Sequence, residues 1–67
     1  MEIRPGETRL RNRDVPLITC LVVERIEDGG RWSLPGYRLK YDCPALTGRR
    51  EEIWPAAIEM FWEEDKP

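Results

Sequence analysis

The segment Leu17-Ile18-Thr19-Cys20-Leu21-Val22-Val23-Glu24-Arg25-Ile26 limits the fold more than any other feature of this chain. It is rich in β-branched residues, which fit a pleated surface. No polar face recurs at a spacing of 3.6 residues, so a helical reading fails. In an extended chain Ile18, Cys20 and Val22 fall on one side, and Ile26 joins them if the alternation holds. Leu17, Leu21 and Val23 fall on the other side. A half-solvated strand would be polar on one side, so both sides of this one are expected to be covered. One side faces a core. The other meets a long loop, the chain ends or a partner.

The rest of the chain supplies short strands separated by turns. Glu7 to Arg11 alternates, with Thr8 and Leu10 on one side and charged residues on the other. Asn12 to Pro16 is a polar loop closed by proline. Glu27-Asp28-Gly29-Gly30 is a hairpin turn. The stretch from Trp32 to Gly36 is ambiguous and is broken by Pro35-Gly36. Tyr37 to Asp42 alternates cleanly, with Tyr37, Leu39 and Tyr41 inward. Pro44 to Gly48 is a second turn, and Arg49 to Trp54 the next strand. There Glu51 and Ile53 share one side, and Arg50, Glu52 and Trp54 the other.

Pro55-Ala56-Ala57 reads as a single 3₁₀ turn, because proline tolerates the first position of a helical turn but not a central strand. Ile58 to Trp62 then reads as the last strand. Residues 1–5 are expected to be a flexible start and residues 63–67 a frayed acidic tail. Together these signals predict an all-β domain, a small five-stranded SH3-like barrel with a one-turn 3₁₀ helix before its last strand.

With 67 residues the chain is one domain, 1–67. So short a chain buries only about 60% of the surface exposed when unfolded. It leaves little room for an internal site of ~300 Å³ or more. The net charge is -2 with 36% charged residues, a well-solvated surface and neither a polyanion nor a polycation. No stretch approaches a membrane span, and no apolar leader core is visible at the start, so the expected compartment is the cytoplasm. Cys20 reads as a small core residue, and Cys43 stands beside Pro44 at a strand end. They bridge only if their Cα atoms lie within about 7 Å. With no His and two Cys, no zinc site closes within one chain, and no cofactor is expected.

Two stretches carry a resemblance. One is Arg9-Leu10-Arg11-Asn12-Arg13-Asp14-Val15-Pro16-Leu17-Ile18-Thr19. The other is Tyr41-Asp42, then Arg49-Arg50-Glu51-Glu52-Ile53-Trp54-Pro55-Ala56-Ala57-Ile58-Glu59. Together, over residues 6 to 60, they resemble the YodC-like family of small uncharacterised bacterial proteins. This chain departs from that pattern at Arg13-Asp14-Val15 and at Tyr41-Asp42-Cys43-Pro44, and it carries extra residues around Trp32 to Gly36 and Ala45 to Thr47. The resemblance implies a compact SH3-like fold in a bacterial or phage cytoplasm. It brings no activity and no catalytic residues.

Catalysis finds little support. The commonest general base, His, is absent. Glu51-Glu52 and Glu63-Glu64 are adjacent pairs, whose carboxylates point to opposite sides of an extended chain. Gly29-Gly30 is too short for a phosphate loop. A non-catalytic binding module is therefore expected, docking onto a protein partner or its own copy through Trp32, Trp62, Leu17, Leu21 and Val23. The bland alternative is that these side chains complete a small core. Tyr41 and Phe61 are read as core. A different class of function is nucleic-acid binding through Arg9, Arg11, Arg13, Arg38 and Lys40 with a tryptophan platform, if those faces coincide. Its bland alternative is a solvated face with local ion pairs.

Overall fold

The structure is a computed structural model, and it describes residues 1–27 and 35–66. Five strands are present: β1 (Arg9–Asn12), β2 (Thr19–Ile26), β3 (Gly36–Tyr41), β4 (Arg50–Ile53) and β5 (Trp62–Glu64). A 3₁₀ turn, Pro44–Leu46, joins β3 to β4, and a helix, α1 (Pro55–Phe61), joins β4 to β5. All four strand pairings are antiparallel and run in the order β4-β3-β2-β1-β5. The result is one open sheet with β4 and β5 at its edges.

Alternation sorts the side chains. Leu10, Cys20, Val22, Leu39 and Tyr41 are buried on the inner face, where Cys43, Ile58 and Trp62 close over them. Ile3, Ile18, Tyr37, Leu46 and Ile53 pack around this cluster. Cys20 and Cys43 are both buried free thiols. Gly36 marks the tightest crossing: a Cβ there would lie 2.5 Å from the carbonyl oxygen of Ile53, so only glycine lets β3 begin this close to the end of β4. Pro35-Gly36 thus opens a strand where the sequence suggests only a break.

The alternation in β2 does not run its whole length. Val22 lies opposite Leu39 and Glu24 opposite Arg38, so Val23 is an extra residue, a β-bulge. Beyond it the sides exchange. Arg25 takes the place opposite Tyr37, its guanidinium 5.7 Å over the ring, and Ile26 lies opposite Gly36. Ile26 therefore does not join Ile18, Cys20 and Val22. Leu17 lies ahead of β2, in a turn closed by the Ile18 N–H donating to the Val15 carbonyl (2.9 Å). It owes nothing to strand alternation and is 86% exposed.

Residues near both chain ends hydrogen-bond to the sheet. At the start, the Arg4 N–H donates to Thr8 Oγ1 (2.8 Å) and the Gly6 N–H to the Val22 carbonyl (2.8 Å). Ile3 is thereby packed on the core. At the end, Glu63 and Glu64 belong to β5, and the Asp65 N–H donates to the Arg9 carbonyl (2.9 Å). The helical turn is also longer than read. Pro55 sits in its first turn, and Ala56, Ala57, Glu59 and Met60 all favour helix, so α1 runs to Phe61. The last strand starts four residues later than Ile58. Ile58 and Trp62, four apart on one helical face, are the residues that reach the core.

Candidate functional site

The tryptophans divide. Trp62 is only 4% exposed and meets Tyr41 with ring centroids 6.1 Å apart. It is a core residue and is not available as a surface contact, because the helix delivers it to the inner face. Trp32 lies outside the described residues. Phe61, read as core, is 46% exposed. In α1 Ile58 faces inward and Met60 lies on the opposite side, while Phe61, the last helical residue, sits at the flank and is left part-exposed. That helical spacing is the signal the strand reading overlooked. Leu21 and Val23 are half-buried on the side of the sheet away from the core.

At the end of the sheet beyond β1, the loop to β2 is shaped by Asn12. Its Oδ1 accepts from the N–H groups of Asp14 (2.9 Å) and Val15 (3.0 Å), an Asx turn. The Arg13 N–H donates to the Phe61 carbonyl (2.9 Å), and Arg13 Nε to the Trp62 carbonyl (3.0 Å). These bonds tie the loop to the end of α1. Exposed Val15, Leu17, Met60 and Phe61 are carried on those two tied segments.

The basic residues do share a face. Register places Arg9 opposite Leu21 and Leu21 opposite Lys40, with Arg38 on the same outer side of β3. Arg11 completes the set on β1, while Arg13 belongs to the loop. Carboxylates are interleaved with them. Arg9 Nη1 lies 2.5 Å from Asp42 Oδ2, and Arg9 Nε lies 4.0 Å from Asp65. Arg11 pairs with Glu63 (3.1 Å) and Asp65 (3.6 Å). Arg38 pairs with Glu24 and with Glu52 (3.8 Å). Three of the four outer-face cations singled out in sequence thus have internal counter-ions, most from distant parts of the chain. Among the described residues Lys40 and Arg50, directly opposite each other on this face, have no ion pair.

A polar depression of about 640 Å³ lies between the N-terminal turn and β5, where Arg4, Glu7, Arg9, Glu64, Asp65 and Lys66 line it. Charges of both signs leave it with no preference for an anion or a cation. Burial, aided by Asp42, pushes the Cys20 thiol up to about 12, which keeps it protonated and unreactive at neutral pH. Burial and the hydrogen bond to Glu51 push the Tyr41 phenol up as well. Among the described residues no group of three or more His, Cys, Asp or Glu side chains is placed to hold a metal ion. None of their helices is long and apolar enough to cross a membrane. Comparison with known proteins matches this chain to no family model, no curated protein and no solved structure.

Proposed function

We propose that this chain is a small non-catalytic binding module, an SH3-like barrel related to the YodC-like family and working in a bacterial or phage cytoplasm. The strand order β4-β3-β2-β1-β5, with a helical turn before a last strand that returns to β1, supports a barrel of this kind left open between β4 and β5. The module docks onto a protein partner through the loop between β1 and β2 and the adjoining end of α1. The observation that carries this reading is Leu17, 86% exposed on a loop whose backbone is held by hydrogen bonds rather than left free. An apolar side chain held in water gains by burial against a partner and loses little entropy in doing so. Leu21 and Val23 are half-buried and take a lesser part. The nucleic-acid reading is disfavoured by the carboxylates that occupy Arg9, Arg11 and Arg38.

A tagged pull-down from source-cell lysate, split into nuclease-treated and untreated halves, tests the proposal. Wild-type protein should retain a protein in both halves, and Leu17→Lys should lose it while melting at the wild-type temperature. Retention that disappears with nuclease, and that weakens steeply with salt, would put the arginine face in its place.

A further inference from the structure

We infer that two copies of this chain associate edge to edge through β4, in antiparallel register with Arg50 of each opposite Glu52 of the other. Edge strands present unpaired N–H and C=O groups and are templates for such pairing. The Tyr41 N–H donates to the Arg49 carbonyl (2.8 Å). By antiparallel alternation, Arg49, Glu51 and Ile53 then turn their backbone groups toward β3, and Arg50 and Glu52 turn theirs to the edge that no described strand pairs. A two-fold ladder must set edge-facing residues opposite each other. Axes at Arg50, Glu51 or Glu52 all satisfy this, and charge selects the one at Glu51, where Arg50 meets Glu52 of the second copy twice over.

The side chains ask for this partner. Arg50 and Glu52 share the outer face, where Arg50 stands opposite Lys40 and Glu52 opposite Arg38. Like charges directly opposite are unfavourable, and among the described residues neither Lys40 nor Arg50 has a carboxylate in ion-pair range. Glu52 has the complementary deficit. Its Oε1 is a long 3.8 Å from Arg38, and its Oε2 is buried with no hydrogen-bond partner among the described residues. Edge pairing supplies Glu52 of one copy to the Arg50–Lys40 pair of the other, and Arg50 to Glu52. The outer row then reads Glu24, Arg38, Glu52, followed by Arg50 and Lys40 of the second copy. On the inner face Glu51 meets Glu51 of the second copy across the axis, a like-charge contact that this register must offset. Tyr41 Oη donates to one Glu51 oxygen (3.0 Å), and Arg49 of the second copy is its diagonal neighbour.

Most charged edges exist to prevent pairing. An edge of one sign does so, but β4 runs from positive to negative and matches itself when reversed. The interface is distinct from the Val15–Leu17 end, so Leu17→Lys leaves it intact and the two proposals fail separately.

Sedimentation velocity at low salt over a wide concentration range tests the inference on wild type, Arg50→Glu, Glu52→Arg and an equimolar mixture of the two variants, with circular dichroism to verify folding. Wild type should dimerise as concentration rises. Each variant alone should dimerise roughly tenfold more weakly or worse, since two attractive pairs become repulsive. The mixture should recover the dimer, because Glu at position 50 of one chain then meets Arg at position 52 of the other. A wild type that stays monomeric throughout, a dimer that neither substitution weakens, or a folded mixture that stays monomeric would overturn it. If Glu52→Arg does not fold, wild type against Arg50→Glu decides: loss of the dimer upholds the inference and its retention overturns it.

Discussion

The two edges of the sheet carry similar numbers of charges and treat them differently. At β5, Glu63 and Asp65 are matched by Arg11 and Arg9 of the neighbouring strand, and Trp62 anchors the strand in the core. At β4, no side chain is fully buried, Arg50 faces Lys40, and Glu52 keeps one orphaned oxygen. Charge composition says nothing of this contrast. It arises because β5 is laid against a basic strand, whereas β4 meets a basic strand with its own first residue basic. The pairing proposed for β4 rests on this contrast, since its charges find fewer counter-ions among the described residues than those of β5.

The largest effect should come from cutting the anchor of the β5 edge. Trp62→Ala should cost about 3–5 kcal/mol, enough to unfold most of a domain this small. Ile53→Ala at β4, where the side chain is half-buried, should cost clearly less in the same urea titration. Equal costs would remove the asymmetry between the edges.

Alkaline pH should act next, through the core of the sheet. The Cys20 thiol rises from 9.0 to about 12 on folding, so the unfolded chain releases that proton first. Stability from this group is complete below pH 9 and is lost as pH climbs toward about 12, by up to about 1.4 kcal/mol per unit. Tyr41 shifts in the same direction, and its ionisation breaks the hydrogen bond to Glu51 on β4. Urea midpoints taken between pH 8 and pH 11 should fall, and fall less in Cys20→Ala.

Gly36→Ala should cost about 1–3 kcal/mol by forcing β3 away from the Ile53 carbonyl. Hydrogen exchange should then speed up in β4 and leave β5 unchanged. Faster exchange at both edges would mean that they open together.

The smallest effects separate paired from unpaired charge. Arg11→Ala removes two partly exposed ion pairs and should cost ~0.2–1 kcal/mol, less in high salt. Arg50→Ala should stay within about 0.5 kcal/mol in dilute solution, because Arg50 has no ion pair among the described residues. A larger cost for Arg50 than for Arg11 would reverse the comparison drawn between the edges.

Much of the sheet was legible without coordinates, because steric alternation is local. Leu10, Cys20, Val22, Leu39 and Tyr41 face inward where period two places them, and Glu51 and Ile53 share the inner side of β4. The helix was misjudged because Ile58 to Trp62 carries apolar residues that satisfy a strand and a helix equally. Only the demand that Ile58 and Trp62 reach one core decides for helix. The candidate surface was less legible still. Leu17 looked like a strand residue until Asn12 and Pro16 shaped the turn before it, and Trp62 looked terminal until β5 paired with β1.

By itself the sequence determined a mostly β chain and most of its inner face, because backbone sterics and solvation act between neighbours. Tertiary structure alone decided the bulge at Val23, the docking of both chain ends and which charges find partners. Arg11 and Glu63 are 52 residues apart, and their meeting depends on strand register. Register is set by the packing of the whole inner face, and no local pattern contains it.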